Sequence, residues 1–482
     1  MIAPAPPRRV SVRKQRILDT MQERAGRRDD WIAHNNFFFE EDWRYMRYVI
    51  PEGKRILDLG CGTGALLNAL KPSHGVGVDF SSHMIECARA AHPHLTFLNH
   101  DIEQLANAPE LNETFDFIVL SHAVGALDDC WATFKELHRY CHRDTRIVVT
   151  YHSPMWAPLS SFYSLIKTGK PHVQQNALSS GDIANLLTLA DFEVVFREWR
   201  MLSPFRLFGL GRAINRFLAT LPLIRKLCLQ TYVVARPQPK AIDDSLSVSV
   251  IVPCRNERGN IESAVTRLPD FPKTEIIFVE GGSKDGTWEE VQRVKAAYPD
   301  RDIKAFQQTG RGKGDAVRLG FAQAQGDVLM ILDADLTMPP EDLSKYYDAL
   351  ATGKGDFING SRLVYPMEKE AMRFLNLIAN NIFALLFSYL LNQRYTDTLC
   401  GTKVLLRRHY HELERNRAYF GEFDPFGDFD LIFGASKLSL KMAEVPIRYA
   451  AREYGETQIS RFQHGWLLLR MVCFAFMKMK AL

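Results

Sequence analysis

The sequence has no pair of cysteines spaced C-x-x-C, although it contains eight cysteines. Cysteine pairs at that spacing are typical of structural zinc sites, so neither a zinc site nor a disulfide framework is indicated. Isolated cysteines are typical of a reducing compartment, and a cytoplasmic protein is therefore expected. The first sixteen residues are basic and contain no apolar run, so no signal peptide is expected.

Long hydrophobic runs and an excess of one charge are also lacking. No uncharged apolar stretch reaches about 18 residues, the length that indicates a membrane-spanning helix. Lys and Arg total 60 against 56 Asp and Glu, and this balance does not indicate a nucleic-acid partner. Hydrophobic residues make up 46% of the 482 residues, which is enough for roughly two or three domains with packed cores.

What the sequence does contain is a pair of carboxylates directly after a buried strand. Val328–Leu332 is an unbroken apolar run, typical of a parallel strand covered on both faces, and Asp333 and Asp335 follow it. Residues two apart on an extended chain point the same way, so both acids can face one point at the strand's carboxyl end. Adjacent acids repel unless a cation separates them, and hard oxygen ligands suit Mg2+ or Mn2+. Two solvated acids in a loop are the simpler alternative.

The first half of the chain alternates strands with helices. Strands are predicted at Ile56–Leu59, Gly75–Val78, Leu95–Leu98, Phe115–Leu120 and Arg146–Thr150, with a closing pair at Phe192–Trp199 and Leu229–Ala235. After the first strand, the loop DLGCGTG can turn tightly and approach a ligand closely, because it contains Gly60, Gly62 and Gly64. Asp79 ends the second strand, where an acid can bind ribose hydroxyls.

These motifs and their order resemble the class I S-adenosylmethionine (SAM)-dependent methyltransferases, which implies a seven-stranded Rossmann-like domain over residues 1–236. The resemblance implies that the cofactor contacts are Asp58, Gly60, Gly62 and Gly64 for its methionine part, Asp79 for its ribose, and Asp101 with Ile102 for its adenine. A dinucleotide enzyme is the alternative, but the loop lacks the G-x-G-x-x-G spacing.

The methyl acceptor is less clearly indicated. Ser121 and His122 lie at the end of the fourth predicted strand, where His122 is either a general base or a structural histidine. Methyl transfer from a sulfonium mainly requires in-line positioning, so the absence of a base signature does not argue against activity. The basic, apolar insertion Pro204–Leu227 is interpreted as a cover for the acceptor site or as a membrane-surface helix.

Residues 237–246 are predicted to be a linker, and a second doubly wound α/β domain follows over residues 247–482. The motifs VPCRNE, EIIFVEGGSKDGT, RGKGDAVRLG and LDADLTMPPEDL resemble the family-two inverting glycosyltransferases with a GT-A fold. Three later segments, INGSR, DTLCGTK and REYGETQIS, are most similar to those of polyprenol-phosphate mannose or glucose synthases.

This second resemblance implies a set of site residues. The D-x-D pattern of Asp333 and Asp335 would hold the metal, and both would be catalytic together with Asp428 and Arg362. The nucleotide-sugar contacts would be Pro253, Asn256, Glu257, Glu280, Lys313 and Asp333. Thr337 stands where family members often carry a glutamine that helps the metal, and Gly281 stands where they commonly carry a second acid.

Two kinds of glycosyl acceptor remain open. A hydroxyl acceptor needs a base, for which Asp428 and Asp430 are candidates. A lipid phosphate is already anionic and needs cations instead, because arginine forks suit phosphate. The lipid-phosphate resemblance places such cations at Arg362, Arg373, Lys403 and Arg452. We therefore favour a polyprenyl-phosphate acceptor.

A membrane surface is an expected partner. Phe374–Leu391 and Trp466–Met479 are apolar with basic residues nearby, which is typical of interfacial helices, although core helices or a dimer surface are the alternative. The sequence thus predicts a bifunctional enzyme on the cytoplasmic face of the membrane, with SAM, Mg2+ or Mn2+ and a nucleotide-sugar. The alternative is a glycosyltransferase with a non-catalytic SAM-binding regulatory domain. The oligomeric state stays open.

Overall fold

The computed structural model describes residues 11–156, 175–238, 245–362, 374–398, 400–420, 428–447, 450, 452, 454 and 461–482. The chain divides into two compact units, which are Met1–Gln238 with Lys480–Leu482, and Pro239–Met479. Each unit contains one seven-stranded sheet.

The sheet of the first unit has the strand order β3-β2-β1-β4-β5-β7-β6. Its strands are β1 Arg55–Leu59, β2 His74–Asp79, β3 Thr96–Asn99, β4 Phe115–Ser121, β5 Cys141–His152, β6 Phe192–Arg200 and β7 Gln230–Pro237. Strand β7 is antiparallel to both of its neighbours, and the remaining pairs are parallel. The α-helices described in this unit are Val12–Arg24, Arg28–His34, Asn36–Val49, Ala65–Ala69, Ser82–Ala91, Cys130–Glu136, Ser180–Leu189 and Leu210–Ala213.

Both faces of this sheet are covered, as the apolar strands predict. Leu57 and Leu59 of β1 belong to one buried cluster, and Ile56 belongs to the cluster on the other side. Alternation along the strand produces this split, because successive side chains point to opposite faces. A sheet buried on both sides leaves only its strand ends open to ligands, so Asp58 and Asp79 lie where binding is expected.

The sheet of the second unit has the order β10-β9-β8-β11-β13-β12-β14. Its strands are β8 Val248–Cys254, β9 Thr274–Glu280, β10 Asp302–Gln307, β11 Val328–Ile331, β12 Phe357–Ser361, β13 Lys403–Leu406 and β14 Met442–Pro446. Strand β13 is antiparallel to β11 and β12, and the other pairs are parallel. The α-helices described are Ile261–Thr266, Thr287–Ala297, Lys313–Gln323, Leu343–Ala351, Phe374–Leu391, Arg407–Arg415, Phe429–Lys437 and Arg461–Ala475.

The prediction of two α/β domains with doubly wound sheets is confirmed. Strand β11 ends at Ile331, whereas its apolar run continues to Leu332. In the part of the chain that the structure describes, no helix has the length and the hydropathy that crossing a bilayer requires.

Candidate active sites

The glycine loop of the first unit lies at the carboxyl end of β1. A Cβ at Gly60 would lie 2.8 Å from the Cβ of Ala123, and one at Gly64 would lie 2.6 Å from the ring of Phe97. A Cβ at Gly62 would meet nothing within 4 Å, although its φ of +54° also favours glycine. Gly60 and Gly64 are therefore required by packing, while Gly62 presents its backbone to open space that a ligand can approach.

Asp58 is a buried carboxylate at the base of this loop. Its Oδ1 atom has no hydrogen-bond partner among the described residues. Burial, and then the charge of Asp79, raise the pKa of Asp58 to about 7. A buried acceptor without a partner is costly unless a ligand satisfies it, so Asp58 suits a cationic group such as the ammonium of a methionine moiety.

Asp79 lies at the end of β2, beside the same loop. Its Oδ2 accepts from the backbone N–H of Gly62 at 3.0 Å, and its Oδ1 accepts from the N–H of Ser81 at 2.9 Å. Burial raises the pKa of Asp79, and these backbone hydrogen bonds and Arg28 oppose that rise. Asp79, the residue predicted to bind the ribose, thus also fixes the shape of the loop that would hold the cofactor.

The predicted adenine contacts lie under the first helix. The Lys14 ammonium is 2.6 Å from Asp101 Oδ1, and Asp101 also accepts from the N–H of Glu103 at 3.0 Å. Lys14 forms a second ion pair, with Glu103, while the Ile102 side chain is buried. Lys14 therefore pairs with Asp101, the acid that the resemblance assigns to the adenine contact.

The N-terminal helices add contacts that the motifs did not reveal. Arg13 donates to the carbonyls of Gly125, Ala126 and Leu127, and the Thr63 hydroxyl donates to Asp29 at 2.7 Å. The basic character of this segment was visible in the sequence, but no local pattern connects it with the loop.

His122 lies at the carboxyl end of β4 in a buried polar cluster. Its Nε2 is 3.1 Å from Gln230 Nε2, and its ring stacks on His152 with centroids 4.3 Å apart. Burial, followed by His152 and Arg28, holds the pKa of His122 well below its usual range. The imidazole is therefore neutral at pH 7 and is a weak base. The neighbouring Ser121 hydroxyl is 3.2 Å from that of Thr150.

In the second unit, the predicted nucleoside contacts lie at the carboxyl ends of β8 and β9. Pro253 belongs to β8, and Asn256 follows it with a φ of +55°. The Asn256 backbone N–H donates to the Ser283 hydroxyl at 2.9 Å, and its side-chain oxygen accepts from the Lys284 N–H at 2.9 Å. Glu280, the last residue of β9, accepts from the Ser283 N–H. These bonds join the two loops at the edge of the sheet.

Two lysines and two aspartates meet beyond the end of β11. The Lys313 ammonium is 2.6 Å from Asp333 Oδ1 and 3.9 Å from Asp428 Oδ1, and Lys403 is 3.5 Å from Asp428 Oδ1. Burial raises the pKa of Asp333, but Lys313 outweighs it and lowers that pKa below its usual value. Burial lowers the pKa of Lys313, but the same two acids raise it. Asp333 and Lys313 thus both carry their charges at neutral pH.

Asp335 lies in a different environment from Asp333. Its Oδ2 is 2.6 Å from Arg452, and its Oδ1 accepts from the Thr337 hydroxyl at 2.8 Å. Arg452 also reaches Glu257 at 3.4 Å. The alternation that would aim both aspartates at one point requires extended backbone, and β11 ends before them. Within the described residues, no group of three or more His, Cys, Asp or Glu side chains could hold a metal.

Arg362, a predicted phosphate ligand, is paired inside the protein. Its Nε and Nη2 atoms each lie 2.7 Å from a carboxylate oxygen of Asp397, and its backbone N–H donates to the same group at 2.9 Å. Asp397 is buried and belongs to the quoted DTLCGTK segment, but the sequence analysis did not single it out.

Two further predicted residues lie elsewhere. Asp430, a candidate base, is 3.5 Å from Arg417. Arg373, a predicted phosphate-binding residue, lies outside the described residues.

Comparison with protein families assigns each half of the chain. Residues 31–204 match the family described as methyltransferase domain, and residues 249–414 match glycosyl transferase family 2. The chain joins a methyltransferase domain to a family 2 glycosyltransferase domain. The resemblances inferred from the motifs are thereby confirmed.

Curated relatives match the glycosyltransferase half. A dolichol-phosphate mannosyltransferase of Pyrococcus furiosus is 38% identical over 122 residues, which are 25% of this chain and 34% of the relative. The chain therefore spans about a third of that relative's length. A polyprenol monophosphomannose synthase of Mycolicibacterium smegmatis is 28% identical over 233 residues, which are 47% of this chain and 86% of the relative.

Solved structures are similar to each half at low identity. A SAM-dependent methyltransferase of Thermotoga maritima, described as a possible histamine N-methyltransferase, is 18% identical with a TM-score of 0.36; the match covers 45% of this chain and 97% of that one. Glucosyl-3-phosphoglycerate synthase of Mycobacterium tuberculosis, solved with Mn2+, UDP and phosphoglyceric acid, is 18% identical with a TM-score of 0.37; the match covers 48% of this chain and 78% of that one.

Proposed function

We propose that the glycosyltransferase domain moves a sugar from a nucleotide-sugar donor to a polyprenyl-phosphate-type lipid. The observation that carries this proposal is the charge arrangement at the carboxyl edge of β11, where Lys313 and Lys403 lie beside Asp333 and Asp428. Relatives named as dolichol-phosphate and polyprenol-phosphate transferases support the choice of acceptor.

The lysines can serve an anionic leaving group. When the bond between sugar and diphosphate breaks, negative charge develops on the diphosphate and must be neutralised. Lys313 begins the helix Lys313–Gln323, and its ammonium is held by Asp333 in the absence of ligand. A diphosphate would compete with Asp333 for this cation, so substrate binding would exchange an internal ion pair for one with the donor.

Among the described residues, a divalent cation would find two neighbouring carboxylates here, which is fewer than a complete group of protein ligands. Asp335 and Glu257 lie 2.6 Å and 3.4 Å from two nitrogen atoms of the Arg452 guanidinium. Asp335 would hold Mg2+ or Mn2+ there, and Asp333 would approach from the neighbouring lysine cluster. When bound, the ion would supply neutralisation of the diphosphate.

The same geometry favours a phosphate acceptor over a hydroxyl. A hydroxyl needs a base, but Asp428 lies between Lys313 and Lys403, where its charge is used for pairing. A lipid phosphate needs only cations, which Lys403 and Arg452 would provide. The Nε and Nη2 atoms of Arg362 are both bound by Asp397, so the expected role of Arg362 is to position the neighbouring segment.

Lipid glycosylation with a nucleotide-sugar panel tests this assignment. Full-length protein is incubated with polyprenyl phosphate, Mn2+ and labelled nucleotide-sugars, and the labelled lipid is extracted. Asp335→Asn and Lys313→Gln should each lower lipid labelling at least a hundredfold, while Asp270→Asn, at an exposed acid paired with Arg301, should leave it unchanged. Equal labelling by wild type and Asp335→Asn would refute the proposal.

For the first domain, SAM-dependent methyl transfer is the function that the loop supports best. The unpartnered Asp58 oxygen and the open space at Gly62 fit the methionine end of the cofactor. SAM would supply the methyl group, and these residues would orient it toward the edge that carries His122. The competing candidate is a non-catalytic SAM sensor, because the same contacts would bind the cofactor whether or not a methyl group is transferred.

Calorimetry combined with turnover separates these two functions. SAM should bind wild type, and Asp79→Ala should bind at least tenfold more weakly because it loses both loop contacts. Methyl transfer to an extracted lipid or protein acceptor supports the enzyme, whereas binding without transfer supports the sensor. Absence of SAM binding to wild type would reject both.

The proposed location is the cytoplasmic face of a membrane, as a peripheral protein. The helix Phe374–Leu391 packs against the helix Arg461–Ala475, and it exposes 56% of Ile382 and 73% of Leu385. Exposed aliphatic side chains on an apolar helix suit an interface with lipid, where a polyprenyl substrate would reside.

A further inference from the structure

Among the described residues, the largest collection of exposed apolar side chains lies in the methyltransferase unit, between β6 and β7. Nine large apolar side chains from Phe205 to Leu227 are exposed. Phe205, Phe208, Leu210 and Leu223 each expose 66% or more of their surface. Single exposed apolar residues need no explanation, but a contiguous group usually marks an interaction surface.

The charge of this segment is of one sign. Pro204–Leu227 contains five basic residues and no acidic one. The nearest acids to Arg206 and Arg212 belong to the helix Asn36–Val49, and their contacts are 3.4 Å or longer. The pair between Arg206 and Glu40 is exposed and contributes little energy, so the Arg206 guanidinium can turn to an anionic surface.

The position of the segment within its unit is set by the sheet. Strand β6 is parallel to β5, because both are antiparallel to β7, so β6 ends at the same edge as β1 to β5. Gln230, the first residue of β7, pairs with Arg200, the last residue of β6. The exposed segment therefore emerges at the edge that holds Asp58 and His122.

We propose that residues 204–227 dock the methyltransferase unit onto an anionic lipid bilayer. The segment contains one helical run of nine residues, made of Leu210–Ala213 and Ile214–Leu218, between the short turns Leu207–Gly209 and Arg225–Leu227. Its exposed apolar side chains lie both on this run and outside it, so they do not form the single helix face that a protein groove recognises. Protruding apolar side chains beside basic groups suit the headgroup layer of a bilayer. Apolar side chains insert into this layer to a certain depth and need no pocket of complementary shape. Docking would bring the cofactor edge of this unit next to that layer, and it does not depend on glycosyl transfer.

A local fluorescence measurement on the full chain tests this docking. Phe208→Trp should add emission that is quenched by vesicles of brominated phosphatidylcholine with phosphatidylglycerol. Leu189→Trp is the matched control, because Leu189 is 55% exposed at the end of the helix that precedes β6, at the opposite sheet edge. Its added emission should not be quenched. This readout is local, so binding through the other unit does not produce it.

Charge and apolar variants complete the test. In the Phe208→Trp background, Leu223→Asp should abolish the added quenching, and Lys226→Glu should weaken it about fivefold or more at low salt. Leu189→Asp should leave it unchanged. Quenching of the Leu189→Trp emission equal to that of Phe208→Trp, or no quenching at either position, would overturn the proposal. Self-association that Leu223→Asp abolishes, without quenching, would instead show a protein contact.

Discussion

At the scale of single residues, the two domains treat buried charge differently. In the glycosyltransferase domain Asp333 is paired with Lys313, so its carboxylate is stable without a ligand. In the methyltransferase domain Asp58 has an oxygen with no partner among the described residues, and its pKa is raised to about 7. A partner that arrives with the ligand would lower this pKa, so binding and ionisation of Asp58 are linked.

This linkage predicts the pH dependence of SAM binding. Asp58 is mostly neutral below its pKa of about 7, and only its ionised form attracts an ammonium group. Affinity measured by calorimetry should therefore rise on the order of tenfold between about pH 5.5 and about pH 7.5. Asp58→Asn should bind weakly at every pH, with no such rise. The same pH dependence in this variant would assign the titration to another group.

Two glycines of the loop give a matched comparison. Gly64→Ala places a Cβ 2.6 Å from the Phe97 ring, whereas Gly62→Ala meets nothing within 4 Å. Gly64→Ala should lower the free energy of unfolding by about 3 kcal/mol, and Gly62→Ala by about 1 kcal/mol from its left-handed backbone alone. Gly62→Ala should nevertheless weaken SAM binding, because its methyl group enters the space proposed for the ligand. Unchanged affinity in that variant would move the ligand elsewhere.

At the scale of elements, the first helix contributes to the cofactor edge. Lys14 is buried on Val12–Arg24 and pairs with Asp101 and Glu103. Lys14→Met removes this cation and leaves two partly buried carboxylates together, so unfolding of the first unit should become easier by about 3 kcal/mol. Arg16→Met, on the exposed side of the same helix, should change stability little. Chemical denaturation measures both, and similar losses in the two variants would contradict the role of Lys14.

The strand ends could be predicted from sequence, but the contacts between elements could not. Asp79 could be placed at this edge because buried parallel strands end there, whereas Asp58 was assigned by the resemblance to the methyltransferases. Lys14 lies 87 positions from its partner Asp101, and a periodic sequence pattern cannot predict a contact between residues so far apart. The directions of the Asp333 and Asp335 side chains could not be predicted either. Side chains alternate only along extended backbone, and β11 ends at Ile331, before both residues.

At the scale of the whole molecule, each unit has its own sheet, its own core and its own set of strand-end carboxylates. Separate cores allow separate unfolding transitions, and a ligand stabilises only the unit that binds it. The two proposed activities can therefore be assigned to units by their effects on unfolding, without knowledge of either acceptor.

Thermal unfolding of the full chain should accordingly show two transitions. SAM at a hundredfold excess over its dissociation constant should raise one of them, by a stabilisation of about 2.7 kcal/mol, and a nucleoside diphosphate with Mn2+ should raise the other. Asp58→Asn should cancel the first shift and leave the second, and Asp335→Asn should do the reverse. Calorimetry records both. If both ligands moved the same transition, or if each variant cancelled both shifts, the assignment of one binding site to each sheet edge would be wrong.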